Sequence, residues 1–169
     1  MPETWMPPIY WDGDAVAIVD QRVLPHREKV IRCVTPGQVI TAITTMAIRG
    51  APAVGVAGAM AMVLGARNLP DSDLKAFKRK LAALSQRVKN ARPTGNNLSW
   101  AVERIHSVLV ENPAASVAEL QQKIREMADR ILAEDVEGNQ AIGRHGRQVI
   151  PRGARILTYC NAGALATAD

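Results

Sequence analysis

The sequence predicts a small N-terminal β-sheet, then a helical body, and then the first strand of a further α/β unit. Residues 1–34 hold short apolar runs separated by turn residues, which is typical of a sheet with tight turns. From residue 35 to about 150, apolar residues recur at helical spacing. The run "RILTY" (155–159) then indicates a buried strand. We therefore expect one domain over residues 1–150 and the start of a second over 151–169.

The composition is that of a soluble globular chain, with 47% hydrophobic and 22% charged residues in 169. Aromatic residues make up only 4%, so the core must be built from aliphatic and small side chains that let helices approach closely. The N-terminus lacks the basic-then-apolar pattern of a signal peptide. The two cysteines are far apart and form no Cys-x-x-Cys pair, so we expect a reducing cytoplasm and no structural metal site. The longest apolar run, residues 51–66, is shorter than the roughly 20 residues that cross a bilayer, and we expect no membrane partner.

The formal net charge of +5 is concentrated partly in residues 75–92. Leu81, Leu84 and Val88 interrupt the cations at helical spacing, which predicts a solvated helix face. Stacking aromatics are missing beside these cations, so the segment does not favour nucleic-acid binding. An anionic small molecule such as a sugar phosphate fits the charge balance.

The elements can be placed in order. Residues 7–11 and 15–24 flank a hairpin turn signal at Asp12-Gly13, and residues 29–34 form a third strand. Pro36 and Pro52 occupy positions suited to the first turn of a helix, and the helix from Pro52 to about Arg67 should be buried on all sides. Thr35 is the predicted N-cap of the first helix, and either Asp71 or Ser72 caps a helix over 73–90. Either Asn96 or Asn97 caps the next helix, and Ser116 forms a capping box with Glu119 at the start of the last. Three glycines, Gly138, Gly143 and Gly146, lower the helix propensity of the second half of the last helix, so the sequence predicts that half less strongly.

Two arginine loops are candidates for anion binding. Arg49 and Gly50 precede a helix N-terminus, where unpaired N–H groups and a partial positive charge attract anions. A guanidinium adds a planar fork that matches phosphate oxygens. Arg92 repeats the device, and Pro93 favours an extended conformation that projects its side chain. Taken alone, the first loop could equally be a plain helix connection with an exposed arginine, and for the second a plain capping loop is favoured.

Cys160 lies in the turn after the last predicted strand, which is where open α/β sheets place their active sites. The alternative is a small buried hydrophobic residue, which is favoured for a lone cysteine. Cys33 lies inside a predicted strand and is interpreted as core. His26, His106 and His145 have no ligand spacing among them and are interpreted as structural or surface residues.

Three motifs in this order and spacing carry a family resemblance: "IRGAPAVGVAGAM", "RPTGNNL" and "ILTYCNAGALAT", with "VDQRVLP" (19–25) near the start. Together they resemble the methylthioribose-1-phosphate isomerases, whose superfamily includes the regulatory subunits of translation initiation factor two-B. The resemblance covers essentially all 169 residues, and about the first half of a typical family member.

The resemblance implies an α/β protein with a Rossmann-like second domain whose first strand falls within 151–169, and a homodimer. It implies cofactor-free conversion of 5-methylthioribose 1-phosphate to 5-methylthioribulose 1-phosphate in methionine salvage. By the same resemblance the substrate is contacted by Arg49, Gly50, Ala51 and Arg92, and Cys160 assists the chemistry. The family's catalytic aspartate, with a glutamine and an Asn-Lys pair, lies beyond Asp169, so we expect this chain to be inactive alone.

Two other functions remain open at this point. One is a non-catalytic regulatory subunit of the initiation-factor type, which acts through protein contacts. The other is a related sugar-phosphate isomerase, such as one acting on ribose 1,5-bisphosphate. A reactive cysteine accompanied by two arginine loops favours an enzyme, because a scaffold does not need that set.

Overall fold

The computed structural model describes residues 6–69 and 73–169, and its first element is an antiparallel sheet of three strands in sequence order. The strands are β1 (Ile9–Asp12), β2 (Ala15–Val19) and β3 (Val30–Cys33). Asp12 pairs with Ala15, so the hairpin loop is the two residues 13–14, one position later than predicted. Gly13 takes a φ of +58°, which tight hairpin turns require and glycine adopts without strain. The predicted three-stranded sheet is confirmed, and its central strand β2 is buried throughout.

Within residues 6–69 and 73–169, five α-helices and a short 3₁₀ turn follow the sheet. Their bounds are α1 (Pro36–Thr44), α2 (Ala51–Arg67), α3 (Leu74–Asn90), α4 (Asn96–Glu111), α5 (Val117–Val149) and a 3₁₀ turn at Ala164–Ala166. The predicted helical body after residue 35 is thereby confirmed.

Two of the predicted caps are confirmed by their hydrogen bonds. The Thr35 hydroxyl accepts the backbone N–H of Gln38 at 3.3 Å at the start of α1. At the start of α5, the Ser116 hydroxyl accepts the N–H of Glu119 at 3.3 Å. The Glu119 carboxylate in turn accepts the N–H of Ser116 at 2.7 Å, which completes the capping box.

The other two caps differ from prediction. The N-cap of α4 is Gly95, and Asn96 and Asn97 lie in the first turn instead of capping it. The N-cap of α3 is Asp73, whose carboxylate accepts the N–H of Ala76 at 2.9 Å. The predicted caps Asp71 and Ser72 lie outside the described residues. In both cases several cap-forming residues are adjacent, and the exact first turn is decided by how the helix packs.

Helix α2 forms the centre of the molecule and is buried at 14 of its 17 positions, as predicted. It packs against α1, α3, α4 and α5. A Cβ atom at Gly58 would overlap Leu98 of α4, and one at Gly65 would overlap Leu84 of α3. Small side chains on α2 therefore allow the neighbouring helices to come close, which compensates for the shortage of large core residues.

Helices α3 and α5 are amphipathic. The cations of α3 lie on its solvent side, while Phe77 and Leu81 are buried, so the solvated basic face is confirmed. The buried residues of α5 end at Ile131, yet the helix continues through its three glycines to Val149. Trp11 ties β1 to α5: its indole N–H donates to Asp129 at 2.8 Å, and Arg125 lies 3.9 Å above its ring.

The predicted buried strand over residues 155–159 is wrong. The segment is irregular, and its large side chains are open to solvent: Leu157 is 96% and Tyr159 100% exposed. A strand is stable only when its N–H and C=O groups find a neighbouring strand. In the described part of the chain the strands belong to the N-terminal sheet, and none pairs with this segment. The chain returns to the body only at Ala166 and Ala168, which are buried.

Candidate active site

A cleft of about 340 Å³ opens where the N-terminal ends of α2 and α4 meet the segment that carries Cys160. It is lined by Met46, Arg49, Gly50, Ala51, Val54, Arg92, Thr94, Gly95, Asn96, Asn97, Cys160 and Asn161. All five residues singled out from the sequence are in this set, although they come from three separate parts of the chain. The structure therefore brings every predicted site residue to one place.

The first wall of the cleft is the start of α2. Gly50 is the N-cap, with a φ of +91° that a residue with a side chain rarely adopts, and its carbonyl accepts the N–H of Val54 at 3.0 Å. Ala51 begins the helix, and Arg49 is exposed beside it. The helix start therefore presents unpaired N–H groups and a partial positive charge to the cleft.

The second wall is the loop between α3 and α4. The carbonyl of Arg92 accepts the N–H of Gly95 at 2.9 Å, which closes a turn ahead of α4. Arg92 is half-buried, and Asn96 and Asn97 follow in the first helical turn. This wall repeats the first one: an arginine beside a helix N-terminus.

Cys160 and Asn161 form the third wall, and both are exposed. The interpretation of Cys160 as a small buried hydrophobic residue is therefore wrong, and its thiol is free. Cys33 is free but fully buried, and burial raises the pKa of its thiol, so it is the inert core residue that was predicted.

The charge of the cleft has one sign. Arg49 and Arg92 contribute two guanidinium groups, and two helix N-termini add partial positive charge. Among the described residues that line the cleft, none is acidic. An anion with several oxygens, such as a phosphate ester, is the ligand that this arrangement suits.

Several lining residues were missed by sequence reasoning. Asn161 adjoins the cysteine, and Thr94 lies in the loop already noted, so their positions in the motifs were an available signal. Met46 and Val54 carry no such signal, since a methionine after α1 and a valine within an apolar helix are ordinary core residues. They add apolar surface to a cleft that is otherwise polar.

The described residues hold no group of three or more His, Cys, Asp or Glu side chains placed to bind a metal ion. His26, His106 and His145 are not among the residues that line the cleft. Over the described ranges, no helix is both long and apolar enough to cross a membrane.

Comparison with known proteins bears on the identity of this cleft. The sequence profile of the Initiation factor 2 subunit family matches residues 47–168, which contain all three walls. The chain belongs to this family. The superfamily resemblance stated from the sequence motifs is thereby confirmed.

Two relatives of this chain are named methylthioribose-1-phosphate isomerase. The chain is 64% identical, over all 169 of its residues, to the methylthioribose-1-phosphate isomerase of Syntrophobacter fumaroxidans, of which it covers 48%. It is 44% identical over 95% of its length to the enzyme of the same name from Thermosynechococcus vestitus, of which it covers 46%. The chain thus spans about half the length of the relatives it matches.

Solved structures show the same relationship. The 5-methylthioribose 1-phosphate isomerase of Pyrococcus horikoshii superposes with a TM-score of 0.90 at 34% identity, over 98% of this chain and 46% of that one. The delta subunit of translation initiation factor eIF-2B from A. fulgidus superposes with a TM-score of 0.85 at 35% identity, over 98% and 48%. The predicted sheet and helical body thus correspond to about half of each larger structure.

Proposed function

We propose that this chain carries the N-terminal part of the active site of an isomerase that converts 5-methylthioribose 1-phosphate to 5-methylthioribulose 1-phosphate in methionine salvage. The observation that carries the proposal is the single cleft in which Arg49, Arg92 and Cys160 meet. The 64% identity to a relative named for this activity supports the choice of substrate.

The substrate sets the chemistry that the site must perform. An aldose–ketose isomerisation moves a hydrogen from C2 to C1, and it normally begins from a free aldehyde. A phosphate on the anomeric oxygen blocks that route, so the ring must open with the phosphate attached. One group must protonate the ring oxygen, and another must handle the hydrogen at C2. Positioned acids and bases of this kind typically contribute about 10²–10⁴-fold each.

Each wall of the cleft then has a role. Arg49, Arg92 and the two helix N-termini hold the phosphate and hydroxyl oxygens, with Gly50 and Ala51 allowing close backbone approach. Cys160 presents a free thiol for one of the proton-transfer roles, and its partner is an aspartate of the family's second domain. Met46 and Val54 supply apolar surface for the methylthio tail.

The organisation of the whole protein follows from the same proposal. Residues 1–150 form the N-terminal domain and residues 151–169 begin a Rossmann-like second domain, which is consistent with relatives about twice as long. The protein works in the cytoplasm, as a homodimer and without a cofactor.

The likeness to an initiation-factor subunit supports a second candidate function, in which the protein is a regulatory subunit that acts through protein contacts. The two functions differ in whether the cleft binds a sugar phosphate. A third function, isomerisation of ribose 1,5-bisphosphate, differs in requiring a second phosphate site at the 5-position, where the proposal places apolar surface.

Turnover tests the proposal directly. The chain is joined after Asp169 to the remaining part of the Syntrophobacter fumaroxidans relative, and the chimera is assayed with 5-methylthioribose 1-phosphate. We expect turnover, a loss of at least about 10²-fold in kcat for Cys160→Ser, and a weaker apparent affinity for Arg92→Ala. Arg87→Ala, which removes an exposed arginine of α3, is the matched control and should leave both constants unchanged.

Three results would contradict the proposal. A folded chimera without turnover would favour the regulatory function. Full activity of the Cys160→Ser variant would contradict the proton-transfer role of Cys160. A higher kcat/KM for ribose 1,5-bisphosphate would favour the related isomerase.

A further inference from the structure

The residues that follow the cleft are held against the body of the molecule at three points. Residues 151–161 are exposed, but Ala166 and Ala168 are each only 3% exposed. Leu165 lies only four residues after Asn161, a distance of at most about 14 Å along an extended chain. Whatever holds residues 165–168 therefore limits where Cys160 and Asn161 can lie.

The first point is a hydrogen bond from Gln21. Its side-chain Nε2 donates to the carbonyl of Leu165 at 2.7 Å. Gln21 is itself fixed, because its backbone N–H donates to Ala47 at 2.9 Å. Its neighbours are fixed too: Arg22 donates to both carboxylate oxygens of Asp20, at 2.7 and 2.8 Å. The donor is thus presented from a rigid turn.

The second point is the N-cap of α2. A Cβ atom at Gly50 would overlap the backbone of Ala166, so glycine is required for this approach as well as for its positive φ. The same residue also lines the cleft. The helix start that borders the cleft is therefore also the surface on which the following segment rests.

The third point is Asp135 on α5. Its carboxylate oxygen Oδ2 accepts the backbone N–H of Ala168 at 2.8 Å. The carboxyl is half-buried, and burial raises its pKa, with the charge of Asp169 acting in the same direction. Burying a carboxylate is costly, and the hydrogen bond from the N–H of Ala168, which lowers the pKa of Asp135, offsets part of that cost.

We propose that Gln21 and Asp135 are positioning residues that clamp residues 165–168 and thereby hold Cys160 and Asn161 at the mouth of the cleft. They contact the segment from two different elements, the turn after β2 and helix α5. The clamp is inferred from the contacts alone. Its importance for turnover rests on the proposed isomerase function. Gln21 lies within the motif "VDQRVLP", but neither contact was predicted from the sequence, because each joins positions more than 30 residues apart.

The position of Cys160 can be followed without any turnover. Cys33 is fully buried, so a nitroxide reagent applied to the folded 169-residue chain labels Cys160. Label mobility is read from the electron paramagnetic resonance line shape, and anchoring of residues 165–168 from amide hydrogen exchange. The variants are Gln21→Ala, Asp135→Ala and Asp135→Asn, with Glu137→Gln, an exposed carboxylate two residues further along α5, as the control.

We expect Gln21→Ala and Asp135→Ala to sharpen the line shape and to speed exchange at residues 165–168 about five- to tenfold, as the loss of one hydrogen bond implies. Asp135→Asn keeps a carbonyl acceptor and should restore the wild-type behaviour, and Glu137→Gln should match wild type. Alanine is a good helix former, so Asp135→Ala should retain α5, which circular dichroism checks. Wild-type line shapes and exchange in both alanine variants would overturn the clamp.

The chimera described above then tests the link to catalysis. We expect Asp135→Ala to lower kcat with little change in KM, since it displaces the cysteine and not the binding arginines, and Asp135→Asn to recover kcat. A mobile label together with an unchanged kcat would overturn the positioning role. A chimera that never turns over would count against the proposed function alone, because the label and exchange results do not depend on activity.

Discussion

Asp20 shows how a single buried charge can organise the turn that supports a site. Its side chain is 1% exposed, and both of its oxygens accept hydrogen bonds from Arg22. These bonds lower the pKa of the Asp20 carboxyl, and they outweigh the opposing effect of burial. The pair stabilises the turn from which Gln21 reaches Leu165.

This pairing predicts a pH dependence of stability. The folded pKa of Asp20 lies below its unfolded value of about 3.9, so its stabilising contribution is present above that pH and is lost as pH falls through the folded pKa. Asp20→Asn should therefore cost about 1 kcal/mol at pH 7, and the difference from wild type should shrink below about pH 4. Urea denaturation between pH 2 and 7 measures it.

Asp12→Asn is the matched control, because Asp12 pairs with Arg32 with more than half of each side chain exposed. It should cost less at every pH. A wild-type-minus-Asp20→Asn difference that stays constant between pH 2 and 7 would contradict the assignment.

At the scale of elements, local sequence signals were reliable where the partners lie within one turn. Thr35 and the Ser116–Glu119 box form as predicted, since both need only residues three positions apart. The prediction of a strand at 155–159 was wrong because a strand needs a neighbouring strand to pair with, and the described strands all belong to the N-terminal sheet. A β-favouring run alone does not form a strand.

The capping box makes a prediction for α5. Ser116→Ala removes the hydroxyl that accepts the N–H of Glu119, and it should destabilise the protein by about 1 kcal/mol, or roughly 2–4 °C in Tm. Thermal denaturation followed by circular dichroism measures the change. Ser107→Ala, within α4, is the control and should stay within about 0.5 kcal/mol. Equal losses in the two variants would show that the box contributes nothing specific.

At the scale of the whole molecule, stability should be unevenly distributed. Helix α2 is surrounded by four helices, whereas the last 18 positions of α5 contain no fully buried residue. Elements with few buried contacts open locally at a lower free energy than the core does.

Amide hydrogen exchange by mass spectrometry checks this distribution. We expect residues 51–67 to exchange only through global unfolding, and residues 138–149 to exchange at least about 10²-fold faster. The matched comparison is the buried first half of α5, residues 117–131, which should be protected nearly as well as α2. Uniform protection along α5 would contradict the prediction and would imply a partner surface on its distal half.

The sequence by itself determined the sheet, the order of the helices, the burial of α2 and the candidate residues Arg49, Arg92 and Cys160. Each of these depends on periodicity, caps or motifs that are local in the chain. Tertiary structure alone decided that the three loops share one cleft, that Met46 and Val54 line it, and that Gln21 and Asp135 hold the segment beyond it. The reason is physical: a contact between residues far apart in sequence follows from how the helices pack, and no local pattern encodes that packing.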